Sequence, residues 1–275
     1  MSPSRVTKRR ALGQHFLRDR RVAQAVVDLA RLGKDDLCVE IGPGEGALTW
    51  LLAERAGRLV ALEMDESLLA GLARQLARRD HVELRLADAR RFDFTTVPAL
   101  RPAQQGRVVV VGNLPYSVAK PILAQLLEAR GAISEMVLML QREVAERVAA
   151  PPGSKRYGAL SLLCQLHCDI HLAFIVPPGA FRPPPRVDSA VVKLAALPAS
   201  RLPLADEAVF RRVVKAAFSH RRKSLANALA GGLHLSVETS RGWLTAAGIN
   251  PMRRAESLSL EEFARLTTSP PADKG

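Results

Sequence analysis

The sequence predicts an α/β fold in which a mostly parallel sheet carries helices on both faces and a small helical domain follows. Between residues 37 and 197, short apolar runs alternate with helical stretches, and crossovers between parallel strands need such helices. After residue 197 the apolar residues recur with helical periodicity. With 275 residues and 48% apolar content, the chain is long enough for one substantial core and a smaller second domain.

The elements of this fold follow from the apolar pattern. Seven runs are predicted to be strands: Leu37–Ile41, Leu59–Leu62, Val82–Leu86, Val108–Val111, Met136–Leu140, Ile170–Val176 and Ala190–Leu194. Four later segments are predicted to be helices: Ala205–Ala217, Lys223–Ala230, Glu238–Ala247 and Leu260–Thr267. We therefore expect a basic N-terminal arm over residues 1–20, a Rossmann-like domain over 21–198 and a helical domain over 199–275.

The charge of the chain points to a polyanionic partner. Lys and Arg number 40 and Asp and Glu 27, which gives a formal charge of +13. A field of this sign attracts polyanions, so nucleic acid is the first partner to consider. No apolar run approaches the length of a membrane span, and the basic N-terminus lacks the apolar stretch of a signal peptide. We expect a protein that is neither membrane-bound nor secreted.

Cysteine and histidine usage indicates a cytoplasmic protein without a metal site. The three cysteines are odd in number, and Cys38 lies inside an apolar run, which is typical of reduced thiols in the cytosol. Four residues resemble metal ligands by type: Cys164, His167, Cys168 and His171. They fall within one apolar helix-then-strand stretch, whereas structural zinc sites use loop-separated pairs, so we expect no metal.

A glycine-rich turn follows the first strand. Gly42, Gly44 and Gly46 lie between this strand and the next helix, where absent side chains let a ligand approach the backbone. We expect a nucleotide-like cofactor there. The spacing is G-x-G-x-G and not the G-x-G-x-x-G of dinucleotide sites, which argues against a pyrophosphate cradle. A tight turn without any ligand is the alternative.

Three carboxylates are placed to contact that cofactor. Glu63 ends the second strand, 21 residues beyond Gly42, where an acidic side chain can accept hydrogen bonds from both ribose hydroxyls. Asp88 follows the third strand and can accept a hydrogen bond from an adenine amine, although a turn cap is an equally good interpretation. Glu40, just ahead of the glycines, can hold the loop backbone or approach the cationic end of the cofactor.

The most specific motif, Asn113-Leu114-Pro115-Tyr116, follows the fourth strand. It resembles the N/D-x-P-Y/F/W motif of N6-adenine methyltransferases, which implies S-adenosylmethionine as the methyl donor. An adenine amine is a weak nucleophile that needs acceptors to draw its hydrogens out of the ring plane. The Asn113 side-chain oxygen and the Leu114 carbonyl are the candidates, with Pro115 fixing that carbonyl. Tyr116 can stack on the extruded base.

Further segments resemble the ribosomal RNA adenine dimethyltransferases, and the resemblance runs from Leu12 to about Ser257. The matching segments are residues 13–17, 39–46, 87–89, 113–116, 140–145 and 177–192. The resemblance implies a Rossmann-like methyltransferase sheet in which Phe181 stacks on the target adenine opposite Tyr116. A core aromatic that anchors the proline-rich loop is the alternative for Phe181.

The resemblance also assigns roles to two polar or basic segments. It implies that Gln14, His15 and Leu17 help close the cofactor site, and His15 stands where the family has Asn. It further implies that the basic segment Arg221-Arg222-Lys223 helps hold RNA. Adjacent cations at a helix start can engage phosphates without reading sequence, although a solvated helix face is the alternative.

The function implied by the resemblance is dimethylation of N6 on two adjacent adenines near the 3′ end of small-subunit (16S) ribosomal RNA. The expected partner is that RNA, within a pre-assembled small subunit, and the expected state is a monomer. One alternative is the large-subunit adenine methyltransferase of the macrolide-resistance type. Others are a non-catalytic RNA- or DNA-binding assembly factor on the same fold, and a DNA adenine methyltransferase.

Overall fold

The structure is a computed structural model that describes residues 15–220 and 222–271. These residues form two compact units. The first contains the chain up to Ala145 together with Asp169–Pro198, and the second contains Glu146–Cys168 together with the chain from Ala199 onward. Among the described residues, no helix is long and apolar enough to cross a membrane.

The first unit is built on a seven-stranded sheet in the order β4-β3-β2-β5-β6-β9-β7. Its strands are β2 (Leu37–Ile41), β3 (Arg58–Glu63), β4 (Val82–Leu86), β5 (Val108–Asn113), β6 (Glu135–Gln141), β7 (Cys168–Val176) and β9 (Ser189–Ala196). Strands β2 to β6 pair in parallel, whereas β9 runs antiparallel to β6. All seven predicted strands are therefore present, and the predicted fold class is confirmed.

Helix α1 (Arg20–Ala30) precedes β2. The parallel strands are connected by α2 (Thr49–Arg55), α3 (Glu66–Leu76) and α4 (Ala119–Glu128), with a 3-10 helix (Phe94–Leu100) between β4 and β5. Helix α5 (Arg142–Val148) follows β6. Helix α1 shows why these segments are helical. The Asp19 carboxylate caps its first turn by accepting from the backbone N–H groups of Arg21 and Val22. Its buried residues recur at helical spacing: Ala23, Val26, Val27 and Ala30.

A two-stranded ribbon was not predicted from the sequence. Strand β1 (Phe16–Leu17) pairs antiparallel with β8 (Phe181–Arg182), so the start of the described chain is tied to the proline-rich loop. Residues 15–20, which the sequence analysis assigned to the basic arm, thus contribute a strand and the cap of α1. The rest of that arm lies outside the described residues.

The second unit is helical. Its helices are α6 (Ala159–His167), α7 (Glu207–Ala217), α8 (Leu225–Leu233), α9 (Val237–Ala246) and α10 (Leu260–Leu266). A core of their apolar side chains includes Phe210, Leu229, Leu244 and Phe263. The four helices predicted for the C-terminal part are present, with ends that differ by at most three residues. Residues 146–168, which were expected in the sheet domain, pack with this unit.

An ion pair between a buried carboxylate and a half-exposed guanidinium ties the start of β2 to the start of β5. The Asp36 carboxylate accepts from the backbone N–H groups of Gly33 and Arg107, both at 2.9 Å, and from the Arg107 guanidinium at 2.6 Å. Burial of the Asp36 carboxyl opposes ionisation, but the hydrogen bonds from Arg107 and Gly33 outweigh it and lower its pKa. Ionised Asp36 therefore stabilises the edge of the sheet opposite the strand ends discussed below.

We predict that Asp36→Asn lowers the free energy of unfolding by about 1–3 kcal/mol at neutral pH, because the half-exposed Arg107 guanidinium and two backbone N–H groups lose their charged acceptor. Because the folded-state pKa of Asp36 is depressed, this contribution is present above the unfolded pKa and is lost as the pH falls through the folded value. Urea denaturation at pH 7 and at acid pH measures both effects. The exposed neighbour supplies the control, Asp35→Asn. Equal stability of both variants at pH 7 would contradict the prediction.

Candidate active site

A cleft opens at the carboxyl ends of the parallel strands, within the sheet unit. Its lining comes from the turns after four strands and from the ribbon: His15, Phe16, Ile41, Gly42, Gly44, Leu62, Glu63, Met64, Ala87, Asp88, Ala89, Arg90, Asn113, Leu114, Pro115, Tyr116, Ser117, Val118 and Ile122. Ligands of open α/β sheets bind at this edge. The structure therefore brings together most of the residues that the sequence analysis singled out.

The glycine turn forms one wall of the cleft. Gly42 and Gly44 have φ angles of 69° and 57°, a left-handed conformation that favours glycine. A Cβ added at Gly44 would lie 2.9 Å from the ring of Phe16. Glycine at position 44 thus lets the turn pack against the Phe16 ring, and Gly42 and Gly44 both line the cleft, which fits the approach of a nucleoside.

Glu63 fastens this turn to the end of β3. Its Oε2 accepts from the Gly44 N–H at 3.1 Å, and its Oε1 accepts from the N–H groups of Met64 at 2.8 Å and Asp65 at 3.0 Å. A carboxylate has about four lone-pair sites, so these bonds leave room for about one further donor. A ribose hydroxyl is such a donor, and a second hydroxyl would have to share a site.

Asp88 forms a close pair with Arg90 at the opposite wall. The Arg90 Nε lies 2.9 Å from Asp88 Oδ1 and 3.0 Å from Oδ2, and its guanidinium nitrogen Nη2 lies 2.6 Å from Oδ2. The backbone N–H of Arg90 also donates to Oδ1 at 2.9 Å. The side-chain hydrogen bonds from Arg90 lower the pKa of Asp88, so this carboxyl is an anion and an acceptor.

The Asn113 amide is held by the backbone of the ribbon. Its Nδ2 donates to the His15 carbonyl oxygen at 2.9 Å. A carbonyl can only accept, so the amide nitrogen must face it, and this fixes the orientation of the amide. The side-chain oxygen of Asn113 accepts none of the hydrogen bonds found among the described residues. It is therefore available as an acceptor at the cleft.

Tyr116 is positioned from two sides. Its hydroxyl lies 2.6 Å from the Ser189 hydroxyl on β9, and its ring centroid lies 5.3 Å from that of His15 at a tilt of 37°. Pro115 accepts from the Val118 N–H at 3.0 Å, which closes the turn after β5. The ring of Tyr116 is thus fixed at the cleft, where both it and the Asn113 amide contact His15.

Three predicted site residues do not line the cleft. Leu17 and Phe181 are register partners in the ribbon and are 5% and 4% exposed, within the apolar core. Phe181 is thus a core aromatic in the structure, which was the alternative interpretation of this residue. Its stacking on a base stays a prediction, and this role requires the ring to become exposed. Glu40 is buried in β2, and Gln14 lies outside the described residues.

The burial of Glu40 changes its expected chemistry. Burial raises its pKa to about 8, and the nearby Glu63 carboxylate acts in the same direction. One of its side-chain oxygens has no hydrogen-bond partner. Near neutral pH the Glu40 carboxyl is therefore mostly protonated, so it is a neutral neighbour of the glycine turn.

The predicted RNA-binding cations lie in the helical unit. Arg222 and Lys223 are exposed in the turn that precedes α8, and Arg221 lies outside the described residues. Exposed cations in a turn suit phosphate contacts, which need charge without a fixed geometry.

The chain matches the family described as "Ribosomal RNA adenine dimethylase" over residues 5–269. It belongs to this family. Among its curated relatives, "Ribosomal RNA small subunit methyltransferase A" of Geobacter metallireducens is 44% identical over 95% of both chains. The protein of the same name from Nitrosococcus oceani is 44% identical over 94% of both. As a member of this dimethylase family, the protein is a methyltransferase that acts on adenine in ribosomal RNA.

Solved structures of this dimethylase fold are similar along nearly the whole chain. A dimethyladenosine transferase from Plasmodium falciparum has a TM-score of 0.74 and 24% identity, with 92% of this chain and 96% of the other covered. The 23S rRNA methyltransferase ErmE has a TM-score of 0.69 and 24% identity over 92% and 98%. At this identity the likeness concerns the fold.

We predict that His15 acts as a positioning residue for Asn113 and Tyr116. The His15 Nδ1 lies 2.8 Å from the Pro183 carbonyl oxygen, which ties residue 15 to the proline-rich loop. The backbone carbonyl of His15 at the same time accepts from the Asn113 amide. His15→Ala should lower kcat for methyl transfer about tenfold by loosening this alignment, with a smaller change in KM for RNA.

The matched variant is His15→Asn, because an asparagine Nδ2 occupies nearly the position of the histidine Nδ1 and can donate to the same carbonyl. It should restore most of the kcat that His15→Ala loses. Steady-state kinetics of both variants test this. A loss in His15→Asn as large as that in His15→Ala would contradict the positioning role.

Proposed function

We propose that the protein transfers methyl groups from S-adenosylmethionine to the N6 amines of two adjacent adenines near the 3′ end of small-subunit ribosomal RNA. The observation that carries the proposal is the Asn113 amide, whose nitrogen is held by the His15 carbonyl and whose oxygen is left as an acceptor. The names of the relatives from Geobacter metallireducens and Nitrosococcus oceani support the small subunit as the substrate.

Asn113 and Leu114 offer two neutral acceptors to the adenine amine. The amine has two hydrogens, and its lone pair is conjugated with the ring, so it becomes nucleophilic when both hydrogens are drawn out of the ring plane. The Asn113 Oδ1 and the Leu114 carbonyl oxygen suit this task because an unprotonated amine does not need a strong base. Once methylated, the amine nitrogen carries a positive charge and is strongly acidic, so its proton is lost to water without a protein base.

Tyr116 supplies the surface on which the extruded base stacks. Stacking replaces the contacts that the base loses when it leaves its neighbours in the RNA. Because Ser189 and His15 fix the tyrosine ring, a base stacked on it is held in one plane beside Asn113. Orientation of the amine is the main contribution that these side chains make to the rate.

The cleft fits S-adenosylmethionine as the methyl donor. Three features of the cleft match three parts of a nucleoside. The glycine turn at Gly42 and Gly44 allows close approach to the backbone, the Glu63 carboxylate can accept from the ribose, and Asp88 can accept from the adenine amine. Bound S-adenosylmethionine supplies a methyl group already activated by its sulfonium, so the protein needs no further activating group for that step. No metal is part of the proposal.

The helical unit is proposed to contact RNA through the cations before α8, with Arg222 and Lys223 engaging phosphates. The net charge of +13 supports an extended polyanionic substrate. We further propose a monomer that acts in the cytoplasm on a partly assembled small subunit.

Mass spectrometry of adenosine tests the function. Unmethylated small ribosomal subunits, naked small-subunit RNA and large subunits are each incubated with the protein and S-adenosylmethionine. We expect dimethyladenosine at two adjacent positions near the 3′ end of the small-subunit RNA. Methylation of large-subunit RNA instead would assign the macrolide-resistance activity, and tight RNA binding without methylation would indicate an assembly factor.

Two substitutions should separate chemistry from cofactor binding. We predict that Asn113→Ala lowers kcat about 100-fold with little change in the dissociation constant of S-adenosylmethionine, because the amide acts on the amine.

Glu63→Ala should weaken cofactor binding about tenfold or more, because a charged acceptor and the tether of Gly44 are lost together. Single-turnover kinetics and calorimetric titration measure the two quantities.

Circular dichroism spectra of both variants should match the wild type. If Asn113→Ala weakened cofactor binding as much as it lowered kcat, the amide would not be an acceptor for the substrate. An unchanged cofactor dissociation constant in Glu63→Ala would remove Glu63 from the cofactor site.

A further inference from the structure

Three donor groups of one residue occupy most of the acceptor capacity of Asp88. Its Oδ1 receives the backbone N–H of Arg90, its Oδ2 receives Nη2, and the single Nε–H is shared between the two oxygens. A carboxylate has about four lone-pair sites, so about one site on Oδ2 stays open. An adenine amine that approached Asp88 in this arrangement would share Oδ2 with a guanidinium that already neutralises the charge of this acceptor.

The guanidinium can leave without disturbing the turn. The Arg90 side chain is 41% exposed and lines the cleft, so it can swing into solvent. The turn itself is closed by main-chain donors: the Arg90 N–H to Asp88 Oδ1 and the Arg91 N–H to the Asp88 carbonyl, both at 2.9 Å. Displacement of the side chain would free Oδ2 and leave the Asp88 backbone in place.

We propose that Arg90 is a displaceable competitor for Asp88, so that the adenine amine of the cofactor binds more tightly when the guanidinium gives up Oδ2. Arg90 thereby weakens cofactor binding and reduces selectivity for the amine. This inference rests on the proposed function, because it assumes that Asp88 receives the cofactor adenine.

The selectivity follows from hydrogen-bond direction. An adenine amine donates, so it competes with the Arg90 guanidinium for Asp88. A base with a carbonyl oxygen at the same position accepts, so the guanidinium can stay and donate to it. Removal of Arg90 should therefore favour the amine and give no advantage to the carbonyl base.

The test measures dissociation constants by calorimetric titration with S-adenosylhomocysteine and with S-inosylhomocysteine, in which a carbonyl oxygen replaces the amine. Both ligands have no net charge, so loss of a protein charge alone changes little. For Arg90→Met we expect S-adenosylhomocysteine to bind about two- to fivefold more tightly than it binds the wild type. This range corresponds to the free energy of an exposed ion pair. S-inosylhomocysteine should bind no more tightly than it binds the wild type.

Arg91→Met is the matched control, because Arg91 is an exposed neighbour that donates only its backbone N–H to Asp88. It should leave both dissociation constants unchanged. In the Asp88→Ala background the effect of Arg90→Met should disappear, which isolates the pair. Unchanged or weaker binding of S-adenosylhomocysteine to Arg90→Met would overturn the inference, as would equal tightening in Arg91→Met.

These outcomes are distinct from failure of the proposed function. If the wild-type protein bound no S-adenosylhomocysteine, or if Asp88→Ala left its affinity unchanged, the assumed cofactor site would be wrong and the inference would fall with it. Normal binding that depends on Asp88 but not on Arg90 would overturn the inference alone.

Discussion

The parallel register of the central strands is the constraint on which the site depends. Ile41 pairs with Leu62 on one side and with Gly112 on the other. The residues that follow these three positions are Gly42, Glu63 and Asn113. They therefore stand at the same level on three neighbouring strands, and the loop after β4 brings Asp88 to the same edge. A one-residue slip between strands would turn these side chains to the other face of the sheet.

The ribbon adds the second requirement, which is orientation. A strand end places the Asn113 amide at the cleft but does not determine which way the amide faces. The His15 carbonyl does so, because it can accept only from the amide nitrogen. His15 itself is held by the pairing of Phe16 with Arg182 and by its contact with Pro183. The acceptor of the proposed chemistry is thus set by a segment nearly a hundred residues earlier in the chain.

The sheet and the strand-end residues could be predicted from the sequence because their signals are local. Apolar runs of four to seven residues define the strands, and the parallel arrangement then brings the following residues to one edge. Glu63, Asp88 and Asn113 were identified in this way. The ribbon could not be found, because two-residue strands carry no periodic signal and their partners are more than 160 residues apart.

Other features depend on burial and side-chain pairing, which a sequence does not display. Glu40 was expected to hold the loop backbone or to approach the cationic end of the cofactor, but its burial between two neighbouring strands leaves it mostly protonated. The pairing of Asp88 with Arg90 depends on the shape of one loop, which the sequence does not display. The burial of Phe181 follows from the unexpected ribbon.

In the proposed chemistry, Asn113 Oδ1 and the Leu114 carbonyl oxygen together receive the hydrogens of the adenine amine. A crystal structure of the protein with S-adenosylhomocysteine and an RNA fragment carrying the target adenines tests this arrangement. We expect N6 of the extruded adenine to lie within about 3.2 Å of both oxygens, with the base stacked on Tyr116. A base bound in the cleft with N6 directed away from Asn113 would contradict it.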